Sequence, residues 1–279
     1  MADVAERDVG PDAVLLAAFA GWNDAGEAAT AAVEHLERVW HAEPVRSVDP
    51  EDYYDFTVHR PHVRVDETGI RSVDWPTNRI SRAAPRPGLN VVLIRGIEPN
   101  NRWRSFCTEL LDTATDLGVR RVINLGALLA DVPHTRPVPV SMSTTDDTLA
   151  RSLGLERSRY EGPTGIVGVL QDAAIRRGLV TASLWAAVPH YVAQSPCPKA
   201  TLVLLRRAED LLDVPVPLGD VPEEADAWQR GVDELATEDP EVAEYVRRLE
   251  QARDTTELPE ASGEHIAREF ERYLRRRDE

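Results

Sequence analysis

The chain has 279 residues, 42% of them hydrophobic, enough for one large α/β domain with a smaller helical appendage. Its formal charge of −16, spread along the whole chain, disfavours phosphate backbones, which need a basic face for counterion release, so nucleic acid is not an expected partner. No apolar run approaches the roughly 20 residues of a bilayer span, the opening MADVAERDVGPD is acidic where a signal peptide is basic, and Cys107 and Cys197 cannot make a disulfide framework, so a cytoplasmic protein with no membrane partner is expected.

Residues 13–20 form a continuous apolar run, the pattern of a strand buried on both faces, and 89–96, 120–130 and 179–189 read alike. The first run breaks into Gly-Trp-Asn-Asp-Ala-Gly and resumes as a helix with Ala25, Ala29, Ala32, Leu36 and Trp40 on one stripe. Period-two patterning around Glu67-Thr68-Gly69 predicts a hairpin over 61–76, an excursion from the sheet. Trp103, Phe106, Leu110, Leu111, Ala114 and Leu117 form a second helical stripe. Ser141 and Ser143 precede Asp146 and Asp147 in a pattern that predicts hydroxyl caps for a following helix, and another helix is predicted from Pro163 to Gly178. Alternating strands and helices imply a three-layer α/β/α sandwich with a mostly parallel sheet. After Leu212 a proline-rich joint leads to three helical segments, about 222–236, 239–254 and 262–277, which divides the chain into an α/β domain (1–212) and a helical extension (213–279). The narrow apolar stripes of the extension must dock on the α/β domain or on a neighbouring subunit.

Gly21 and Gly26 have P-loop spacing, but Glu27 and Ala28 stand where Lys and Ser/Thr belong, and a carboxylate there repels phosphate. Asp24 instead predicts a helix cap with Glu27 reaching back, a variant capping box. No G-x-S-x-G elbow and no HExxH occur, and Lys199 is the only lysine available for phosphate gripping or Schiff-base chemistry. Cys107 reads as core, whereas Cys197, between two prolines, is the candidate reactive thiol. Polar residues follow the strands: Trp22, Asn23 and Asp24 after the first, Glu98 and Asn100 after the second, Asp131, His134 and Arg136 after the third, His190 after the fourth. With Glu161, these are expected to line a crevice at the carboxyl edge of a parallel sheet. Two histidines with several carboxylates could act as acid/base groups; neither a resident metal nor a cofactor is assigned. Arg136, between prolines, could grip an anion or lock a subunit contact.

GWNDAGEAAT, EPNNRW, PHTRPVPV and YEGPTGIVGVL, in that order, resemble the family named after proteasome assembly chaperone two (PAC2), in particular its actinobacterial branch with a helical C-terminal extension. The resemblance spans approximately residues 13–212. It implies a nucleoside-phosphorylase-like α/β/α fold and homo-oligomers, trimers among them. Relatives that assist proteasome assembly often dock through a C-terminal hydrophobic-Tyr-any tripeptide, whereas here the sequence ends in RRRDE with Tyr273 inside the last predicted helix. The residues and the resemblance together lead to an oligomeric, chaperone-like or scaffolding protein that acts on protein partners without catalysis. The alternative is a small-molecule enzyme or sensor using the strand-end crevice.

Overall fold

Strands flanked by helices on both faces have no polar side to show, which is why the apolar runs are continuous. In the computed structural model, residues 13–152, 161–192 and 196–255 are described. The described chain begins with β1 (Ala13–Ala20), turns into α1 (Ala28–Val39), and continues through β2 (Glu43–Ser47), β3 (His62–Val65), β4 (Arg71–Asp74), β5 (Arg79–Arg86) and β6 (Leu89–Ile97). There follow α2 (Trp103–Asp116), β7 (Val119–Ala130), β8 (Val140–Thr144), the short α3 (Asp147–Ser152), α4 (Ile166–Arg176) and β9 (Val180–Pro189). Three helices, α5 (Pro198–Leu212), α6 (Val221–Glu238) and α7 (Pro240–Thr255), complete the described chain, and the predicted helix 262–277 lies outside it.

Seven strands form one sheet in the order β2-β5-β6-β1-β7-β9-β8. The four apolar runs are its centre and are mutually parallel, with Leu15 opposite Val92 on one side and Val122 on the other, and Leu125 opposite Leu184. Three antiparallel strands, β5, β2 and β8, complete the edges. Alternate residues of β1 feed two cores: Val14, Leu16 and Ala18 pack with α1 and α5, while Leu15, Ala17 and Phe19 pack with α2 and α4. The result is the three-layer α/β/α sandwich that the alternation implies. Ala28, Ala29 and Ala32 are fully buried and let α1 lie close on the sheet. The hairpin forms where predicted, β3 pairing β4 as a separate two-stranded ribbon.

Local details differ from the sequence reading in three places. Asp24 does cap α1, accepting bonds from the backbone N–H groups of Ala29 (2.7 Å) and Thr30 (3.3 Å), but Glu27 sits exposed at φ 53° and no capping box forms. A short 3-10 turn inserted between Asp24 and α1 carries Glu27 out of reach. Helix α4 begins at Ile166, three residues beyond Pro163, because its first free N–H is taken by a distant carboxylate, that of Glu98. Ser141 and Ser143 cap no helix among the described residues: they belong to β8, paired to β9 at Trp185 and Ser183, and Asp146 caps α3 through the N–H groups of Thr148 and Leu149.

The first two segments of the predicted helical tail follow their pattern closely. Helix α6 buries Val221, Ala225, Val232 and Ala236, and Asp239 accepts the N–H of Glu241 (2.9 Å) at the start of α7. Among the described residues no helix is long and apolar enough to cross a membrane.

Candidate functional site

Parallel strands end on one edge, and there the polar residues gather in two groups, one beyond β1 and β6 and the other beyond β7 and β9. The first is built on the Gly-Trp-Asn-Asp-Ala-Gly turn. Gly21 (φ 120°) and Gly26 (φ 61°) allow the chain to reverse, and the turn is stitched to its neighbours by Ala127 N–H to the Asn23 carbonyl and Cys197 N–H to the Gly26 carbonyl, both 2.8 Å. Asn23 is 1% exposed and donates its amide to Glu98 Oε1 (2.8 Å), which also accepts the N–H of Ile166 (2.7 Å). Glu98 therefore occupies the N-terminus of α4 as a built-in anion, where backbone N–H groups and the helix dipole favour negative charge. A Cβ on Gly165 would lie 2.4 Å from the Asn23 amide, so this glycine supplies the space in which Asn23 sits. Asp24, beside it, is buried, and burial pushes its carboxyl above the usual carboxylate range.

The second group is bound up with the tail. His134 is 2% exposed; its Nε2 lies 2.9 Å from Asp233 on α6 and its Nδ1 2.7 Å from the Tyr191 hydroxyl. That hydroxyl also accepts the His134 backbone N–H (2.8 Å), so it donates to Nδ1, and the neutral ring with its proton on Nε2 satisfies every partner. Burial lowers the His134 pKa, with Asp233 pulling in the opposite sense. Arg136 grips α7 through both carboxylates offered to it, Asp254 (3.0 and 2.7 Å) and Glu250 (3.2 Å). Tyr245 of α7 donates to Asp131 Oδ1 (2.9 Å), which lies 3.1 Å from His190 Nδ1, and the rings of His190, Tyr191 and Tyr245 meet edge to face at 5.4 to 5.9 Å. Lys199 closes the group: its ammonium donates to the carbonyls of His134 (2.5 Å) and Arg136 (2.9 Å) and to Gln229 on α6 (2.7 Å). Burial lowers its pKa.

Of the ten residues singled out in the sequence, Asn23 and Glu98 meet directly, and Asp131 lies beside His190. His134 and Arg136 share the second group with them, linked through Lys199 and the tail helices. Trp22 is half-buried within the turn, and Asp24 serves the helix behind it. Asn100 lies apart, bonded to the backbone of Tyr53 and Asp55, and Glu161 is exposed. Cys197 is 1% exposed at the start of α5, with its thiol pushed up to about 11 by burial, so the candidate thiol is protonated and covered. Cys107 is core, as read. Lys199 has no free N–H for phosphate or a carbonyl substrate. Among the described residues no three histidine, cysteine or carboxylate side chains gather to hold a metal ion. A depression of about 430 Å³ lies elsewhere, between β2 and the outer face of α2, lined by Arg46, Arg104, Ser105, Thr108, Glu109 and Asp112.

The sequence reading missed Tyr191, Asp233, Tyr245, Glu250 and Asp254. All but Tyr191, which directly follows His190 at the end of β9, sit on helices whose contact with the strand ends has no local sequence signature.

Comparison with known proteins now places the chain. The PAC2 family model matches residues 18–236. No curated protein matches. Among solved structures, a PAC2 family protein from Streptomyces avermitilis is 59% identical, covering 84% of this chain and 100% of its own, with a TM-score of 0.78. A proteasome-assembly chaperone homologue from Mycobacterium tuberculosis is 53% identical over 84% of this chain and 99% of its own, with a TM-score of 0.75. An archaeal proteasome activator from Pyrococcus furiosus shares the fold at 17% identity, with a TM-score of 0.65 over 82% of this chain and 96% of its own. The match over most of the sequence and the actinobacterial relatives above half identity establish that the chain belongs to the PAC2 family.

Proposed function

We propose that this protein is a self-assembling, non-enzymatic scaffold of the assembly-chaperone type, working in the cytoplasm through contacts with other proteins. The observation that carries the reading is the occupancy of the strand-end rim. Both ring nitrogens of His134, the guanidinium of Arg136, the carboxylate of Asp131 and the ammonium of Lys199 each bond to another part of the same chain, most of them to α6 or α7. An acid/base or anion-binding site leaves such groups facing a reactant. Here they hold α6 and α7 in place, and on this reading the 213–279 extension, through those two described helices, covers the 1–212 domain and turns an α/β crevice into an outer protein surface. The Mycobacterium tuberculosis relative, a proteasome-assembly chaperone homologue, supports the same direction.

The experiment is to mix the purified full chain with α and β subunits of an actinobacterial proteasome core and follow maturation on native gels. The expected result is a faster appearance of the mature core, with the protein bound to an intermediate. An unchanged time course and no co-migration overturn the proteasome reading. Thermal shifts with nucleosides, phosphate, amino acids or divalent cations overturn the non-enzymatic one, since a ligand at 100 times its dissociation constant adds about 2.7 kcal/mol.

A further inference from the structure

Strand β7 carries one side chain that its surroundings do not explain. A strand covered on both faces favours apolar residues, yet Asn124 stands in the middle of its buried stretch and is 0% exposed. Neither its Oδ1 nor its Nδ2 has a hydrogen-bond partner among the described residues. A carboxamide offers two donors and two acceptor lone pairs, and taking all of them out of water without replacement is costly. Buried amides of folded proteins are accordingly bonded in nearly every case, to protein or to an internal water.

The sheet register identifies the neighbours. Asn124 lies opposite Ala17 of β1 on one side and Ser183 of β9 on the other, and Ser183 lies opposite Ser143 of β8, the last strand of the sheet. Residues in register share a face, so the three polar side chains form a row that enters from the β8 edge and stops at Asn124. Helix α4 roofs this row: Gln171 Oε1 accepts from the Ser183 hydroxyl (2.6 Å). Ser183, 1% exposed, has thereby given its single proton and keeps only lone pairs for anything else beside it.

We infer that Asn124 and Ser183 bind an internal water molecule that bridges β7 to β9 and, through Gln171, to α4. The chemistry selects the ligand. It must donate to Ser183 Oγ and must satisfy an amide that both donates and accepts, which calls for a small neutral molecule with both capacities. An ion does not fit, because no charged side chain belongs to the row to balance it in the interior. Ala17 and Ser183 are smaller than Leu15 and Thr181, their counterparts beside Val122 in the preceding row, which leaves room at Asn124 for a molecule of this size. Ser143, half-buried on the edge strand, marks the side from which it enters. Helix α4, anchored at its first turn by Glu98, thus gains a second polar hold at its middle.

Crystals of the full chain, at a resolution that shows ordered solvent, decide the matter. The expected result is a solvent peak about 2.7–3.2 Å from both the Asn124 amide and Ser183 Oγ. A row without that peak, or an Asn124 amide bonded directly to a protein group, overturns the site. Urea unfolding tests the bridge independently. Ser183→Ala removes the acceptor of the water, so it is expected to lower the unfolding midpoint more in the wild type than in an Asn124→Leu background, from which the water is already expelled. A shift as large or larger in the Asn124→Leu background overturns the bridge. Where that variant does not fold, the solvent peak in the wild type remains decisive.

Discussion

Gly165 shows how much one missing methyl group can decide. Its φ of −92° is open to any residue, so the requirement there is for space and not for backbone freedom. A Cβ at 2.4 Å from the Asn23 amide forces that buried side chain away from Glu98, and Glu98 in turn anchors the first turn of α4. Gly165→Ala is therefore expected to cost about 1–3 kcal/mol, the usual range for overpacking a filled site. Urea unfolding measures it as a lower midpoint at unchanged slope, and an unchanged midpoint contradicts the account. Lys199 is the other position where one side chain does several jobs. In a sequence that uses arginine for every other basic residue, a compact ammonium reaches two carbonyls of the 134–136 segment and one amide on α6. Lys199→Met keeps the apolar stem but strands those acceptors, and a loss of about 1.5–3 kcal/mol is expected in the same assay. Lys199→Arg is not expected to rescue it, since a planar fork cannot take the place of an ammonium enclosed by three acceptors.

At the scale of elements, α6 and α7 hold on in different ways. Helix α6 buries four apolar side chains, whereas α7 buries Val246 and otherwise relies on Tyr245, Glu250 and Asp254. Arg136 is 34% exposed and Asp254 54%, so these are surface pairs, weak one by one, and salt at about 1 M shortens the screening length to roughly 3 Å. Amide exchange over 240–255 is expected to speed up in high salt, while that over 221–238 stays nearly constant. Arg136→Ala should reproduce the effect at low salt, and exchange in α7 that ignores both treatments rules out the ionic seat. This contrast also explains what could be read from the sequence. The four central strands were legible because burial on both faces leaves an uninterrupted apolar run. Strands β2 and β8 were not, because edge strands such as Glu43–Ser47, exposed throughout, carry no such run. Asn23 and Glu98, like Asp131 and His190, could be brought together from topology alone, since each pair follows adjacent parallel strands. Asp233, Tyr245 and Asp254 reach the same edge from 99 to 118 residues downstream of their partners, on helices whose polar faces resemble any solvated face.

For the whole molecule, His134 is where the layers are tied together. It follows β7, bonds to Asp233 on α6 and to Tyr191 beyond β9, and has Lys199 of α5 and Glu250 of α7 among the charges that act on it. Burial keeps its pKa below the ordinary value of about 6.5, so in the interval between the folded and unfolded values the unfolded chain binds the extra proton. Stability must then rise with pH across that interval: the contribution is complete above about 6.5 and is lost as the solution is acidified. Geometry gives the same sign, because a proton on Nδ1 would meet a Tyr191 hydroxyl already donating toward it. Thermal unfolding at pH about 7.5 and about 5.5 should therefore show a lower Tm at the acidic value. The chain has seven histidines, so the decisive measurement is the difference between wild type and His134→Gln, which keeps a donor for Asp233 but cannot titrate. The variant is expected to be less stable at neutral pH and to lose less on acidification. An equal loss in both proteins would assign the acid sensitivity to other groups and remove His134 as the titrating tie between the sheet and its helical cover.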